Sequence, residues 1–221
     1  MYNPNFQMPP VVKNLLIING LMLLATLVFN DQMYEYLALF YPASPFFKPY
    51  QFVTHMFMHG GFFHLFFNMY TLWIFGTALE YVWGSKRFLF FYLVTGLGAA
   101  ALHTFVLWIE AHSLQQAIAA GDMFARAAYS DLLRTPTVGA SGAVYGVLLG
   151  YGMLFPNNII RLIFPPVALK AKWFVLIFGA IELTLGLSNR GGHIAHFAHL
   201  GGMIFAFILI MYWRKRHHHR F

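Results

Sequence analysis

Apolar residues crowd into six stretches of the chain, roughly 11–29, 54–79, 87–109, 138–155, 173–187 and 192–213, with polar or charged segments between them. A helix rising 1.5 Å per residue needs about 20 such residues to cross a hydrocarbon layer of ~30 Å. The pattern therefore predicts an all-α, polytopic bundle of six membrane-spanning helices. The fourth and fifth stretches are short for a full crossing. The fourth is also rich in glycine, which predicts a helix enclosed by others and starting below the membrane surface. Residues 110–136, between the third and fourth, are polar and alanine-rich and read as a loop carrying a short surface helix. The organisation that follows is a short N-terminal segment over 1–10, one membrane domain over 11–213 and a basic tail over 214–221.

Composition sharpens this picture. Only 10% of the 221 residues are charged, 59% are hydrophobic, and Phe alone contributes 25. No soluble domain of this size needs so few charges, so the pattern is that of an integral membrane protein. There is no cysteine, which excludes disulfides and thiol chemistry. The net charge of +7 follows the loops, which argues for membrane orientation and against nucleic acid as a partner. Lys13, Lys86, Arg87, Arg161, Lys170, Lys172, Arg214, Lys215, Arg216 and Arg220 fall on the side of the N-terminus; Lys48, Arg126, Arg134 and Arg190 fall on the other. Positive charge gathers on cytoplasmic loops, so both termini are expected in the cytoplasm. Trp83, Trp108, Trp173 and Trp213 stand near span ends, as interfacial anchors should. The first residues lack a basic n-region, so the first stretch reads as an anchor that stays. The expected location is a bacterial cytoplasmic membrane.

Chemistry enters with Ser141 in TPTVGASGAVYGVLLG, flanked by Gly139, Gly142, Gly146 and Gly150. The last stretch, HIAHFAHLGGMIFAF, carries His199 beside a second small-residue stripe, Ala198, Gly202 and Ala206. Small residues at four-residue steps let membrane helices approach until their backbones nearly touch. A hydroxyl and an imidazole at the rim of such a contact can share a hydrogen bond away from bulk water. The second stretch adds His55, His59, His64 and Asn68. His64 and Asn68, four apart, share one helix face. Their N–H donors suit an oxyanion hole.

GASGAVYG, followed by AHLGG and preceded by HGGFFHLFFN, resembles the rhomboid family of intramembrane serine proteases over essentially the whole chain. The resemblance implies Ser141 as nucleophile, His199 as general base, and His64, Asn68 and the Ser141 backbone N–H as oxyanion donors. It implies Tyr145 stacked on the imidazole and Gly139 giving the substrate carbonyl its approach, while His59 reads by itself as a supporting residue, hydrogen-bonded beneath the first loop. Glu80 and Gly84 take structural roles in the same comparison. Where bacterial members often show Trp-Arg in the first loop, this chain has Tyr50-Gln51. Substrates would be membrane-protein helices, cut near their outer ends, and no cofactor is implied.

Blander readings stand beside these. Ser141 alone reads better as a packing serine bonded to its own helix, and it is the pairing with His199 that reverses the balance. His193, His196 and His199 are spaced three apart, which suggests a metal, yet successive steps rotate about 60° and only neighbours share a face. Metal binding is therefore not expected. Glu182, an ionisable group inside the fifth stretch, reads as a hydrogen-bonded carboxyl near the outer mouth. No acidic residue is expected to orient His199, with stacking on Tyr145 as the substitute. A small transporter would show paired halves, and the chain has none. An inactive client-binding relative would lack Ser141 or His199, and both are present.

Overall fold

The structure is a computed structural model that describes residues 7–162, 166–188 and 193–218, with side chains of the last segment described from 196 to 216. It is an all-α membrane bundle. Helix α1 spans Pro10–Leu37, α5 Ser85–Ala119, α6 Met123–Arg134, α7 Ser141–Leu154, α8 Ala171–Leu187 and α9 His193–His218. The second apolar stretch becomes α3 (Phe62–Thr71), a π-helical turn over Leu72–Gly76 and α4 (Thr77–Trp83), which run on as one rod. Among the described residues, four helices are long and apolar enough to cross a membrane: Pro10–Leu37, Phe62–Trp83, Ser85–Ala119 and His196–Arg216. As anticipated, α7 and α8 are shorter, and α7 is the most enclosed, with eight of its 14 residues buried.

The second span starts later than its hydropathy predicts. Residues 54–61 form the end of α2 (Gln51–Thr54), a 3-10 turn over His55–Phe57 and an irregular link. Gly61 breaks the chain there at φ 153°. Hydropathy reads this link as helix because it is buried apolar chain, Met56 and Met58 being 1% and 0% exposed. The polar interval after the third stretch is also more helical than expected. There α5 continues to Ala119, and α6 is capped by Asp122, whose carboxylate accepts from the N–H groups of Phe124 and Ala125. Strands β1 (Ile159–Arg161) and β2 (Ala168–Lys170) make a small antiparallel hairpin at the end of α7 that the sequence pattern did not announce.

Helices α5, α7 and α9 pack on one another more extensively than any other elements. Glycine makes the contacts possible. A Cβ on Gly202 would collide with the carbonyl of Gly142, and one on Gly142 with the side chain of Ala99. The small-residue stripes meet only in part, which corrects the expectation. Gly142 faces Gly202, but Gly146 faces Thr95 of α5, and Gly150 faces Leu79, Phe91 and Trp83. Thr95 fits because its hydroxyl is spent on the carbonyls of Phe91 and Tyr92 in its own helix, at 2.9 and 3.0 Å.

One end of the bundle is tied by a carboxylate. Glu80, 2% exposed, accepts from the N–H groups of Val11 and Val12 at 2.9 and 2.8 Å, and from the Ser85 hydroxyl at 2.7 Å. Pro9 offers α1 no side-chain cap, so Glu80 supplies from α4 what the start of α1 lacks. An anion at a helix N-terminus satisfies orphan donors and opposes the helix dipole. The same end gathers Trp83, Trp213 and Arg87, whose guanidinium lies 4.0 Å from the Trp213 ring centre.

Candidate active site

Ser141 is the first residue of α7, so its N–H and those of Gly142 and Ala143 have no partner within the helix. The segment before it is pinned from both sides. Thr137 exchanges backbone hydrogen bonds with Leu39, its hydroxyl meets His103 Nε2 at 2.7 Å, and the Gly139 N–H donates to the His55 carbonyl at 3.0 Å. Gly139 takes φ 137°, a conformation open chiefly to glycine. A Cβ there would stand 2.9 Å from His64 Cε1, 3.0 Å from Nε2 and 3.4 Å from Ser141 Oγ. The missing side chain is thus the space between the His64 ring and the Ser141 hydroxyl.

Across the seam, His199 Nε2 lies 2.9 Å from Ser141 Oγ. The imidazole stacks on Tyr145, with ring centres 4.2 Å apart and planes within 5°. Tyr145 is one helical turn below Ser141.

The oxyanion candidates come from α3. The Gly60 N–H donates to His64 Nδ1 at 3.3 Å, which leaves the ring proton on Nε2, the edge turned to Gly139 and Ser141. Asn68 donates one amide hydrogen to the His64 carbonyl at 2.8 Å and has a second to give. His59 departs from expectation. It is 1% exposed, and neither ring nitrogen meets a well-aligned hydrogen-bond partner among the described residues, the backbone of Phe57 being the one polar neighbour in reach. Its support is steric, edge-on to His64 with ring centres 5.0 Å apart. Burial, and secondly the His64 ring, hold its pKa down to about 4. His55, in the preceding turn, meets the Gln51 carbonyl at 2.8 Å, and burial lowers it also to about 4. Gln51 answers what stands in place of the Trp-Arg pair. Wholly buried, its carboxamide accepts from Phe40 and Lys48 and donates to the carbonyls of Glu35, Tyr36 and Phe46.

The main correction concerns acid near the base. Glu182 Oε2 lies 3.0 Å from His199 Nδ1 and 2.6 Å from His196 Nδ1, while Oε1 accepts from the Tyr145 hydroxyl. Only a short link, residues 188–192, joins α8 to α9, but sequence spacing says nothing of which faces of the two helices meet. The contact with His199 is not collinear: Nδ1 has no aligned hydrogen-bond acceptor, whereas His196 does. Glu182, His196 and His199 offer donor atoms all within 4.8 Å of one another, the arrangement that could hold a cation. The His193 side chain lies outside the described residues, so the three-histidine spacing is replaced by two histidines and a carboxylate from another helix.

Helix α8 packs on α7 and α9. Between α3 and α8 opens a cavity of about 850 Å³, lined by Phe63, Phe67, Phe174 and Phe178 and reaching Ser141, Tyr145 and His199.

Residues 47–216 match the Rhomboid domain family. Rhomboid protein 1, mitochondrial, of Saccharomyces cerevisiae is 31% identical over 163 residues, 72% of this chain and 40% of the relative. Presenilin-associated rhomboid-like protein, mitochondrial, of Rattus norvegicus is 30% identical over 171 residues, 72% of this chain and 38% of the relative. RHOMBOID-like protein 4 of Arabidopsis thaliana is 34% identical over 152 residues, 69% of this chain and 31% of the relative. The chain therefore spans about two fifths or less of the length of these relatives. Two of the three carry a mitochondrial name, so the expected bacterial membrane finds no support among them.

Proposed function

The chain belongs to the rhomboid family, and from that membership we propose that it is an intramembrane serine endopeptidase acting on the helices of other membrane proteins. The observation that carries the reading is the 2.9 Å contact between Ser141 Oγ and His199 Nε2 at the head of an 850 Å³ apolar cavity. His199 takes the serine proton as Oγ attacks a peptide carbonyl. The resulting oxyanion is received by the Ser141 N–H, His64 Nε2–H and the second Asn68 amide hydrogen, with the helix dipole of α7 in support. His199 returns the proton to the leaving amine, and water, activated by the same ring, hydrolyses the acyl ester. Stacking on Tyr145 keeps the imidazole edge toward serine. Glu182, absent from the expected machinery, favours the Nδ1-protonated form of His199 through its charge.

A substrate reaches this pair from the lipid, through the aromatic gap between α3 and α8, and must unwind locally to offer its backbone. The distribution of Lys and Arg supports both termini in the cytoplasm and cutting near the opposite face. A fluorophosphonate should label the protein at Ser141, and neither Ser141→Ala nor His199→Ala should react; equal labelling of all three removes the reading. Asn68→Ala should slow cleavage of a single-span substrate by roughly tenfold to a thousandfold. Unchanged turnover would make Asn68 structural.

A further inference from the structure

The α8–α9 cleft holds a donor set that acyl transfer does not require. His196 and His199, three apart on α9, bring both Nδ1 atoms onto one carboxylate oxygen, Glu182 Oε2, at 2.6 and 3.0 Å. That oxygen is aligned with only one of the two N–H axes. It bonds His196, and the buried Nδ1 of His199 is left without an aligned partner. Two imidazole nitrogens, one carboxylate oxygen and an open fourth position are what Zn²⁺ takes in sites with three protein ligands. Bonds of ~2.0–2.1 Å in a tetrahedron set neighbouring donors roughly 3.3 Å apart. The two imidazole nitrogens stand 2.6 and 3.0 Å from the carboxylate oxygen, a few tenths of an ångström inside that spacing, and the three residues' donor atoms all lie within 4.8 Å of one another. The two imidazoles are 20% and 18% exposed, which gives an ion a route. Tyr145 already holds Oε1, the outer hydrogen bond that orients a ligating carboxylate.

We propose that Glu182, His196 and His199 form a binding site for a Zn²⁺-like divalent cation, and that its occupation switches the hydrolase off. The binding stands on the donor set alone; the switch rests on the reading of Ser141 and His199 as nucleophile and base. A cation on Nδ1 takes that lone pair and leaves the ring's one proton on Nε2. Nε2 then donates to Ser141 Oγ instead of accepting from it, and the serine has no base.

The test uses the full chain in detergent with His217, His218 and His219 replaced by alanine, so that the tail cannot bind the ion. That replacement should leave metal-free labelling unchanged. Stripped of metal and titrated with ZnCl₂, the chain should bind one ion by calorimetry, and Co²⁺ in its place should give tetrahedral visible bands. Saturating Zn²⁺ should cut fluorophosphonate labelling at least tenfold, with recovery on chelation. Glu182→Gln and His196→Gln, which keep side-chain volume, should each weaken binding at least tenfold. Ser141→Ala, which leaves every donor in place, should still bind one ion. Absence of saturable binding, or binding that survives both Gln variants, overturns the site. Labelling unaffected by a bound ion overturns the switch but leaves the hydrolase standing. A metal-free protein that never labels, yet binds the ion, overturns the hydrolase and keeps the site.

Discussion

Among the described residues two carboxylate side chains are buried, Glu80 and Glu182, and their surroundings assign them opposite work. Glu80, 2% exposed, is satisfied by two backbone amides and a serine hydroxyl, groups that stay neutral. Glu182, 6% exposed, is held by the Tyr145 hydroxyl and His196 and lies 3.0 Å from His199, the imidazole that meets the Ser141 hydroxyl. The same side chain in the same kind of apolar helix is a fastening in one place and a control point in the other. The partners decide, not the burial.

The same isosteric change at both positions tests this. Glu80→Gln leaves a single acceptor oxygen for Val11 and Val12 and turns an amide N–H toward one of them. We expect a loss of about 2–4 kcal/mol of stability, read as a lowered unfolding midpoint in mild detergent, with labelling per folded molecule unchanged. Glu182→Gln should lower the rate of acylation roughly tenfold to a hundredfold and barely move the midpoint. That is short of the roughly 10⁴-fold that a collinear triad carboxylate is worth, because the carboxylate lies off the Nδ1–H axis. If the two variants exchange phenotypes, the distinction between fastening and control point fails.

A third buried polar group sharpens the contrast without any charge. Gln51→Ala strips the first loop of its central carboxamide and should cost about 1–3 kcal/mol, lowering the midpoint as Glu80→Gln does, but by less. An unaltered midpoint would mean that the loop is held by its apolar contacts alone. The smallest effect is on pH. His55 and His59 have folded pKa values near 4 against an ordinary 6.5. The unfolded chain therefore binds more protons, and stability is full above about 6.5 and declines as pH falls toward 4. Between pH 7 and 6 the loss should stay below about 1 kcal/mol for each ring. His59→Gln should flatten the midpoint's slope with pH, and an unchanged slope would assign it to other groups.

The bundle was largely legible in the sequence because hydropathy reports burial in lipid. One of its failures has a plain cause. The link at 54–61 is apolar because it is buried in protein, and a hydropathy window cannot tell that from a span. The meeting of Ser141 and His199 was legible from glycine at four-residue steps, since only backbone contact explains so many small residues on two helices. The partners of Gly146 and Gly150 were not, because a small residue says that something comes close without saying what. Glu182 reads from the sequence as a hydrogen-bonded carboxyl, and it is one, but the sequence does not name its partners. The answer lay in the azimuth of α8 against α9, which only the packed structure supplies.

The contact of Gly142 with Gly202 has a consequence for how the molecule must move. Main chain touches main chain there, with no rotamer between them to yield, so the gap between nucleophile and base works like a welded joint rather than an adjustable one. Whatever breathing lets a guest peptide slip in must then be borne by the outer staves, α3 and α8, which lean on the weld without belonging to it.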